Sequence, residues 1–307
     1  MAMSTTGASA IERVREYEEL RGVADPAIVS NEPRAGLGLV FWICFGWVAL
    51  MVLLAICASL LHLTNPDYQN YNVVNTGPSI HHFLGTDDLG RDLLSRIIFG
   101  SRVSLTIGFA SVGIALVIGG TLGLLAGYAG GWLDTVFNAA SLVILAFPAL
   151  LAILVIEAFW KPTTLFKLTV MFAVAGLPSL FRVIRATTLS FATREFVVAA
   201  RTMGASTWRI LFKELLPNVI PAAISFALIG VAVAIILEGS LAFLGLSISL
   251  PTASLGNIIN EGVQNNELAT NPFIALWPSV YIFLLLLAFN LMADRLRSRF
   301  DVRAGNL

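Results

Sequence analysis

Histidine and cysteine, which often supply a catalytic base, a nucleophile or a metal ligand, are scarce in this sequence. The 307 residues include three histidines and two cysteines. A hydrolase that works inside a membrane needs a nucleophile and a base, or an H-E-x-x-H motif, at membrane depth. His62 closes an apolar segment, and His81 and His82 lie outside any such segment. We therefore expect no catalytic residue, no metal site and no bound cofactor in this chain.

Two glutamates lie in long apolar segments. An ionised carboxylate at the centre of a bilayer costs about 2.5–3.5 kcal/mol, so Glu238 should face other helices, water or a hydrogen-bond donor. Two interpretations stay open: Glu238 lines a path and senses the amino end of a substrate, or it accepts hydrogen bonds that fix helix packing. Glu157 lies beside Trp160 at a segment end, where a charged group reaches water at low cost. We expect Glu157 to be solvated.

Five charged residues alternate in sign between positions 87 and 96. Asp87 and Arg91, and likewise Asp92 and Arg96, are four residues apart, the spacing at which opposite charges meet on one helix face. The simplest interpretation is a solvated amphipathic turn. The alternative is a docking surface for another protein, formed by Asp87, Asp88, Arg91 and Asp92.

A polar segment between two apolar ones, residues 188–218, predicts two helices joined at a glycine. Residues 194–203 favour helix, Gly204 suits the left-handed residue that ends it, and Ser206 or Thr207 can cap the next helix. Pro217 then marks the entry to the following apolar helix. We expect this elbow to bind a partner and pass its motion to the membrane helices, through Glu195, Phe196, Ala199, Ala200, Arg201, Gly204, Ala205, Ser206, Trp208, Arg209 and Pro217.

Membrane helices must position these residues. Hydrophobic residues make up 57% of the chain and charged residues 12%, with a mean hydropathy of +0.83, whereas soluble domains carry about 25% charged residues. Nineteen basic and nineteen acidic residues balance, so no basic field is available to hold nucleic acid. A spanning helix needs about 20 apolar residues. Six segments satisfy this: Leu37–Leu63, Ser104–Tyr128, Val136–Trp160, Leu165–Thr187, Val219–Leu246 and Pro272–Ala293.

The basic residues predict the orientation of this all-α polytopic membrane protein. Fourteen of the nineteen lie in the two tails or in and beside the 188–218 loop. Because basic residues are enriched on the cytoplasmic side, both termini and that loop should be cytoplasmic. The predicted organisation is a cytoplasmic tail (1–36), a first helix (37–63), an extracytoplasmic loop (64–103), a core of five helices (104–293) and a cytoplasmic tail (294–307).

Small residues recur every four positions in the second predicted span. Such a ridge lets two helix backbones approach closely in lipid. It indicates either packing within this chain or a helix at a moving subunit interface or along a pore. Its members are Ser111, Ala115, Gly119, Gly123 and Gly127.

The elbow resembles the EAA motif of ABC importer permeases, whose pattern is E-A-A-x3-G, nine residues, then I-x-L-P. Ala199, Ala200 and Gly204 match it at the correct spacing, as does the Leu-Pro pair at 216–217, while Val198 and Glu214 stand at the Glu and Ile positions. Residues 195–206 fit the form D/E-[FY]-V-x-A-A-R-x-x-G-A-S, which is usual in the peptide-transporter branch. The blocks at 82–105, 127–134, 146–148, 238–246 and 290–301 resemble the same branch.

This resemblance, over about residues 37–303, is to the C-type permease subunit of dipeptide and oligopeptide ABC importers. It implies a type I ABC importer permease fold in a bacterial cytoplasmic membrane, paired with a second, related permease. It also implies two ATPase subunits, which bind ATP and Mg and grip the elbow, and an extracytoplasmic solute-binding protein on the outer loops. Relatives of this branch carry peptides, glutathione, nickel chelates or haem. A stand-alone secondary carrier or channel is the alternative, but it leaves the elbow unexplained.

Overall fold

The computed structural model describes residues 37–161, 163–248, 252–264 and 271–305, with side chains as far as residue 300. The predicted tail 1–36 lies outside the described residues. Within the described ranges the chain is helical, with a short 3-10 turn at Tyr71–Val73. The helices are α1 (Gly38–Cys57), α2 (Leu93–Ala129), α3 (Gly131–Ala146), α4 (Ala149–Phe159), α5 (Leu165–Ala192), α6 (Glu195–Thr202), α7 (Thr207–Phe243), α8 (Leu255–Gln264) and α9 (Phe273–Gly305).

Five of these helices, α1, α2, α5, α7 and α9, are long and apolar enough to cross a membrane. The pair α3 and α4 passes the same test together, but the two are bent by 82° at their junction. The predicted span Val136–Trp160 is therefore formed by two helices with a sharp bend between them. Pro148 has no N–H to donate and disfavours helical geometry in the residue before it. Phe147 is accordingly extended, with φ −91° and ψ 133°.

Three helices extend beyond their predicted ends. Helix α2 begins at Leu93, well before the predicted Ser104, because the Asp92 side chain accepts a hydrogen bond from the Ser95 amide at 2.9 Å. Part of the predicted outer loop 64–103 is thus helical. Helix α7 begins at Thr207 rather than Val219, and α9 continues past Ala293.

The small-residue ridge on α2 packs against α5. A Cβ atom added to Gly119 would lie 2.8 Å from the Leu177 carbonyl oxygen, and one added to Gly123 would lie 2.7 Å from that of Phe181. Real Cβ atoms do not approach so closely, so only glycine permits this helix pair. Packing within the chain, one of the two interpretations of the ridge, is what the structure shows.

A second apolar cluster joins α1 to the rest of the fold. Buried residues of α1, including Phe41 and Met51, pack with Phe289 of α9 and with apolar residues of α2 and α7. The opposite face of α1 carries exposed apolar residues such as Trp42 and Ile43. This two-sided apolar character is expected for a helix between protein and lipid.

Replacing Gly123 by Ala should separate α2 from α5. The added methyl meets a backbone carbonyl that cannot rotate away, and overpacking of this kind costs about 1–3 kcal/mol. We expect a lower unfolding midpoint for the detergent-solubilised protein. Gly113 lies on the same helix, and a Cβ there meets nothing within 4 Å. Gly113→Ala should therefore leave the midpoint unchanged or raise it, and equal losses in both variants would contradict this packing.

Candidate functional site

The segment between α5 and α7 forms the predicted elbow. Helix α6 ends at Thr202, and Gly204 adopts φ +80°. The Gly204 and Ala205 amides donate to the carbonyls of Arg201 and Ala200, each at 3.0 Å, which satisfies the helix end. The Ser206 side chain then accepts from the Arg209 amide at 3.4 Å and caps the next helix. The predicted helix–glycine–helix geometry is confirmed.

Helix α7 continues from the elbow into the membrane core without a break. It includes a π-helical section, Ile210–Leu215, in which the Leu216 amide donates to the Leu211 carbonyl. This wider turn directly precedes Pro217, which has no N–H to donate. Pro217 was predicted to mark the entry to the fifth span, but it lies inside the continuous helix. The second helix of the elbow and this membrane helix are therefore one continuous helix, α7.

The inner face of the elbow is packed. Val197, Ala200 and Ile210 are buried together with Leu124 of α2 and Ile184 of α5. Ala200, predicted among the residues that contact a partner, therefore faces the protein core. The elbow therefore packs against two membrane helices, α2 and α5.

The outer face of the elbow is rich in apolar side chains. Met203 is 81% exposed and Trp208 is 66% exposed. The Trp208 ring stacks on that of Phe212, with centroids 5.6 Å apart. Exposed apolar groups of this size mark a contact surface. Of the predicted contact residues, those exposed are Glu195, Ala199, Arg201, Gly204, Ser206, Trp208, Arg209 and Pro217, and Phe196 and Ala205 are half-buried.

Sequence reasoning omitted Met203 and Phe212 from this surface. Both lie in an apolar-rich stretch, and the i,i+4 spacing of Trp208 and Phe212 was the available signal. Arg201, expected to meet carboxylates of a partner, has its guanidinium carbon 5.5 Å from the centroid of the Tyr128 ring. Arg201 therefore also joins the elbow to the end of α2.

Glu238 is buried in α7 with both carboxylate oxygens occupied. The Ser104 hydroxyl donates to Oε2 at 2.8 Å, and the Ser247 hydroxyl donates to Oε1 at 3.0 Å. These bonds join α7 to α2 and to the segment that follows α7. The arrangement favours the packing interpretation of Glu238 over the substrate-sensing one.

Glu157, near the end of α4, was expected to be solvated, and this expectation is wrong. The residue is 0% exposed. The Thr163 hydroxyl donates to Oε1, whereas Oε2 has no hydrogen-bond partner among the described residues. The chain that follows α4 folds back over this side chain. The place of Glu157 beside Trp160 in the sequence gives no sign of this burial.

The outer charged cluster is a buried ion-pair network, and the prediction of a solvated turn is wrong. Arg91 Nε lies 2.7 Å from Asp87 Oδ2, and Arg96 pairs with the same carboxylate. Both arginines also reach Glu261 of α8, at 2.9 Å and 2.6 Å. Removing one member of a buried pair typically costs about 3–5 kcal/mol. The network therefore fixes α8 against the segment before α2. Sequence reasoning missed Glu261.

The four residues predicted to dock another protein have unequal access to solvent. Asp87, Arg91 and Asp92 are buried, and Asp92 accepts from the Ser95 amide and lies 2.9 Å from His82 Nδ1. The Asp88 side chain is 23% exposed. Partial burial, and then the neighbouring Asp87 carboxylate, raise the pKa of Asp88. A docking role for this cluster stays a prediction, and Asp88 is its most accessible member.

Known proteins resemble this chain in sequence and in fold. Residues 119–305 match the family described as binding-protein-dependent transport system inner membrane component. The chain is 37% identical over 256 residues to the glutathione transport system permease protein GsiD of Pectobacterium atrosepticum, covering 83% of this chain and 84% of that protein. It is also 37% identical over 256 residues to the dipeptide transport system permease protein DppC of Alkalihalophilus pseudofirmus, covering 83% of each.

The fold is similar to that of a chain in an inward-facing structure of the MetNI methionine ABC transporter. The TM-score is 0.55 at 21% sequence identity, and the match covers 69% of this chain and 97% of that chain. The predicted all-helical permease fold is thereby confirmed. The fold, the two permease relatives and the family match all assign the chain to the same family. The chain belongs to the family of inner membrane components of binding-protein-dependent transport systems.

Proposed function

We propose that this chain is a transmembrane permease subunit of an ATP-driven importer that carries dipeptides or oligopeptides across a bacterial cytoplasmic membrane. The observation that carries the proposal is the continuity of α7. Its 37 residues start at the exposed elbow and end beside Glu238 at the other side of the bundle. At about 1.5 Å of rise per residue, such a helix is about 55 Å long. Because the helix is continuous, a push on the elbow moves the opposite end of α7.

The partner that pushes is an ATPase subunit. The exposed Trp208–Phe212 stack and Met203 supply apolar anchors, and Arg209 supplies charge for a partner's carboxylates. A second, related permease would complete the translocation path, and it would rest on the second ATPase subunit. ATP and Mg belong to the ATPase subunits, and this chain takes no part in hydrolysis.

The orientation follows from charge. The elbow carries Arg194, Arg201, Arg209 and Lys213, and basic loops face the cytoplasm. With the elbow inside, the network around Glu261 lies at the extracytoplasmic side. An extracytoplasmic solute-binding protein would deliver cargo there. Both chain termini would be cytoplasmic.

The cargo is the open part of the proposal. Relatives at equal identity are named for dipeptide transport and for glutathione transport, and glutathione is itself a small peptide. A haem or nickel-chelate importer of the same class is the alternative cargo assignment. A stand-alone carrier or channel is disfavoured by the exposed apolar elbow, which such a protein would not need.

Uptake by the purified assembly tests the proposal. The tagged chain, purified with its co-purifying partners and reconstituted in vesicles, should accumulate radiolabelled dialanine only when ATP and the binding protein are supplied. Unlabelled glutathione, haem and nickel chelates serve as competitors and report the cargo class. Uptake by this chain alone, without ATP, would overturn the importer assignment in favour of a carrier.

A substitution at Gly204 separates backbone conformation from side-chain contact. A Cβ at this position meets nothing within 4 Å, so only the left-handed φ of +80° is demanding. Asn tolerates this region, whereas a β-branched residue does not. We expect Gly204→Val to reduce ATP-driven uptake at least about tenfold by redirecting the elbow, and Gly204→Asn to retain most of it. Similar uptake by both variants would show that the glycine conformation is not needed.

The Trp208 side chain tests the partner surface directly. Trp208→Ala removes a large exposed apolar group and should reduce recovery of the ATPase subunits with the tagged chain at least about tenfold. Phe159 at the end of α4 is 89% exposed and lies at the end of the bundle opposite the elbow. Phe159→Ala is the matched control and should leave recovery unchanged. Unchanged recovery with Trp208→Ala would place the ATPase contact elsewhere.

A further inference from the structure

A cavity of about 620 Å³ opens at the extracytoplasmic side of the bundle. It lies between the end of α4, the segment that follows α7, and α8. Its volume falls in the range of about 300–1,000 Å³ that is usual for small-molecule sites. The polar residues that line it are Glu157, Lys161, Thr163, Ser247, Asn257, Asn260 and Glu261.

Glu157 is the exceptional member of this lining. Its side chain is fully buried, and Oε2 has no hydrogen-bond partner among the described residues. A carboxylate in this position is costly unless it is paired. The Lys161 and Lys167 ammonium groups act on this carboxylate electrostatically, but neither donates a hydrogen bond to Oε2. Oε2 can therefore accept a hydrogen bond from a positively charged group outside the chain.

The other polar groups of the lining are partly committed. Glu261 is paired with Arg91 and Arg96, and the Ser247 hydroxyl donates to Glu238. The Asn257 amide group donates to the Ile248 carbonyl at 3.0 Å. Lys161 is exposed and is the one cationic side chain in the described lining. The Asn260 Oδ1 atom accepts a hydrogen bond from Gln264 at 2.8 Å. The groups left to meet a ligand are one acid, one base and the carboxamide oxygen of Asn257.

This combination is complementary to a zwitterion that carries amide groups. A metal cation would be repelled by Lys161, and a second carboxylate with a vacant oxygen is lacking among the described lining residues. A primary ammonium donates up to three hydrogen bonds, which Glu157 Oε2 and a neighbouring carboxamide oxygen can accept. A carboxylate at the other end of the same ligand would meet Lys161.

We propose that this cavity is a subsite for the transported peptide, in which Glu157 binds the α-ammonium group and Lys161 the terminal carboxylate. The inference rests on the proposed peptide-import function and adds the residues that recognise the cargo inside the membrane chain. Glu157 has no accessible surface in this conformation, so the ammonium reaches it by displacing the Thr163 hydroxyl. The segment that directly follows α7 also lines the cavity, which connects the shape of the cavity to the elbow.

The test is binding of radiolabelled dialanine to the whole permease–ATPase complex in nanodiscs, without the binding protein. Glu157→Gln removes the charge but keeps the size of the side chain, and it should weaken dialanine binding at least about tenfold, or 1.4 kcal/mol. N-acetyldialanine lacks the ammonium charge and should compete at least about tenfold less well than dialanine with the unaltered chain. Its disadvantage should disappear in the Glu157→Gln complex, an outcome that a purely structural role of Glu157 would not produce.

Asp67→Asn is the matched control because it removes an exposed carboxylate from the same side of the membrane. It should bind dialanine as the unaltered chain does. Peptide uptake with the binding protein present, measured on the same complexes, distinguishes the two proposals. Uptake by the unaltered complex together with undetectable binding, or with equal binding by Glu157→Gln, would overturn the subsite and leave the import function standing. Absence of peptide uptake by the unaltered complex would remove both.

Discussion

The close approach of α2 and α5 across the glycine ridge positions the elbow. Gly119 and Gly123 bring the two backbones to a separation that no side chain permits. The inner ends of the same two helices supply Leu124 and Ile184, which support the elbow. Helices in lipid lack a hydrophobic force between them, so this backbone contact is the main way to hold such a pair. A looser pair would leave the elbow without a rigid base.

At the end of the bundle opposite the elbow, ion pairs rather than backbone contacts hold the segments together. Asp87, Arg91, Arg96 and Glu261 satisfy one another and attach α8 to the segment before α2. Such a network specifies one arrangement, because a displaced partner leaves an unpaired charge in a medium of low dielectric constant. In the core, Glu238 is likewise satisfied, because the Ser104 and Ser247 hydroxyls donate to its carboxylate. Among the described residues, Glu157 is a buried carboxylate with one oxygen that lacks a hydrogen-bond partner, and it borders the cavity together with Glu261.

Helix α7 connects these two regions. Its first turn carries Trp208 on the exposed elbow, and the segment after its last turn, from Gly245 to Ile248, lines the outer cavity. The π-helical section and Pro217 lie between them without interrupting the helix. In the proposed orientation, partner binding at the elbow can therefore change the shape of the proposed peptide subsite at the opposite end of α7. This coupling needs no relay of side chains, since the connecting element is a single helix.

Local signals in the sequence determined the helical class, the number of apolar segments and the elbow. Gly204 and Ser206 act through their own backbone neighbours, so their roles are readable from order and spacing alone. The chain bend at Phe147 was also readable, because Pro148 acts on the residue before it. Tertiary structure alone decided which charges are buried. Arg96 pairs with Glu261, which is 165 residues away in the sequence. Glu157 is buried because the segment after α4, which includes Thr163, folds over it. Pairing and burial depend on contacts between distant segments, and hydropathy along a chain carries no record of which segments will meet.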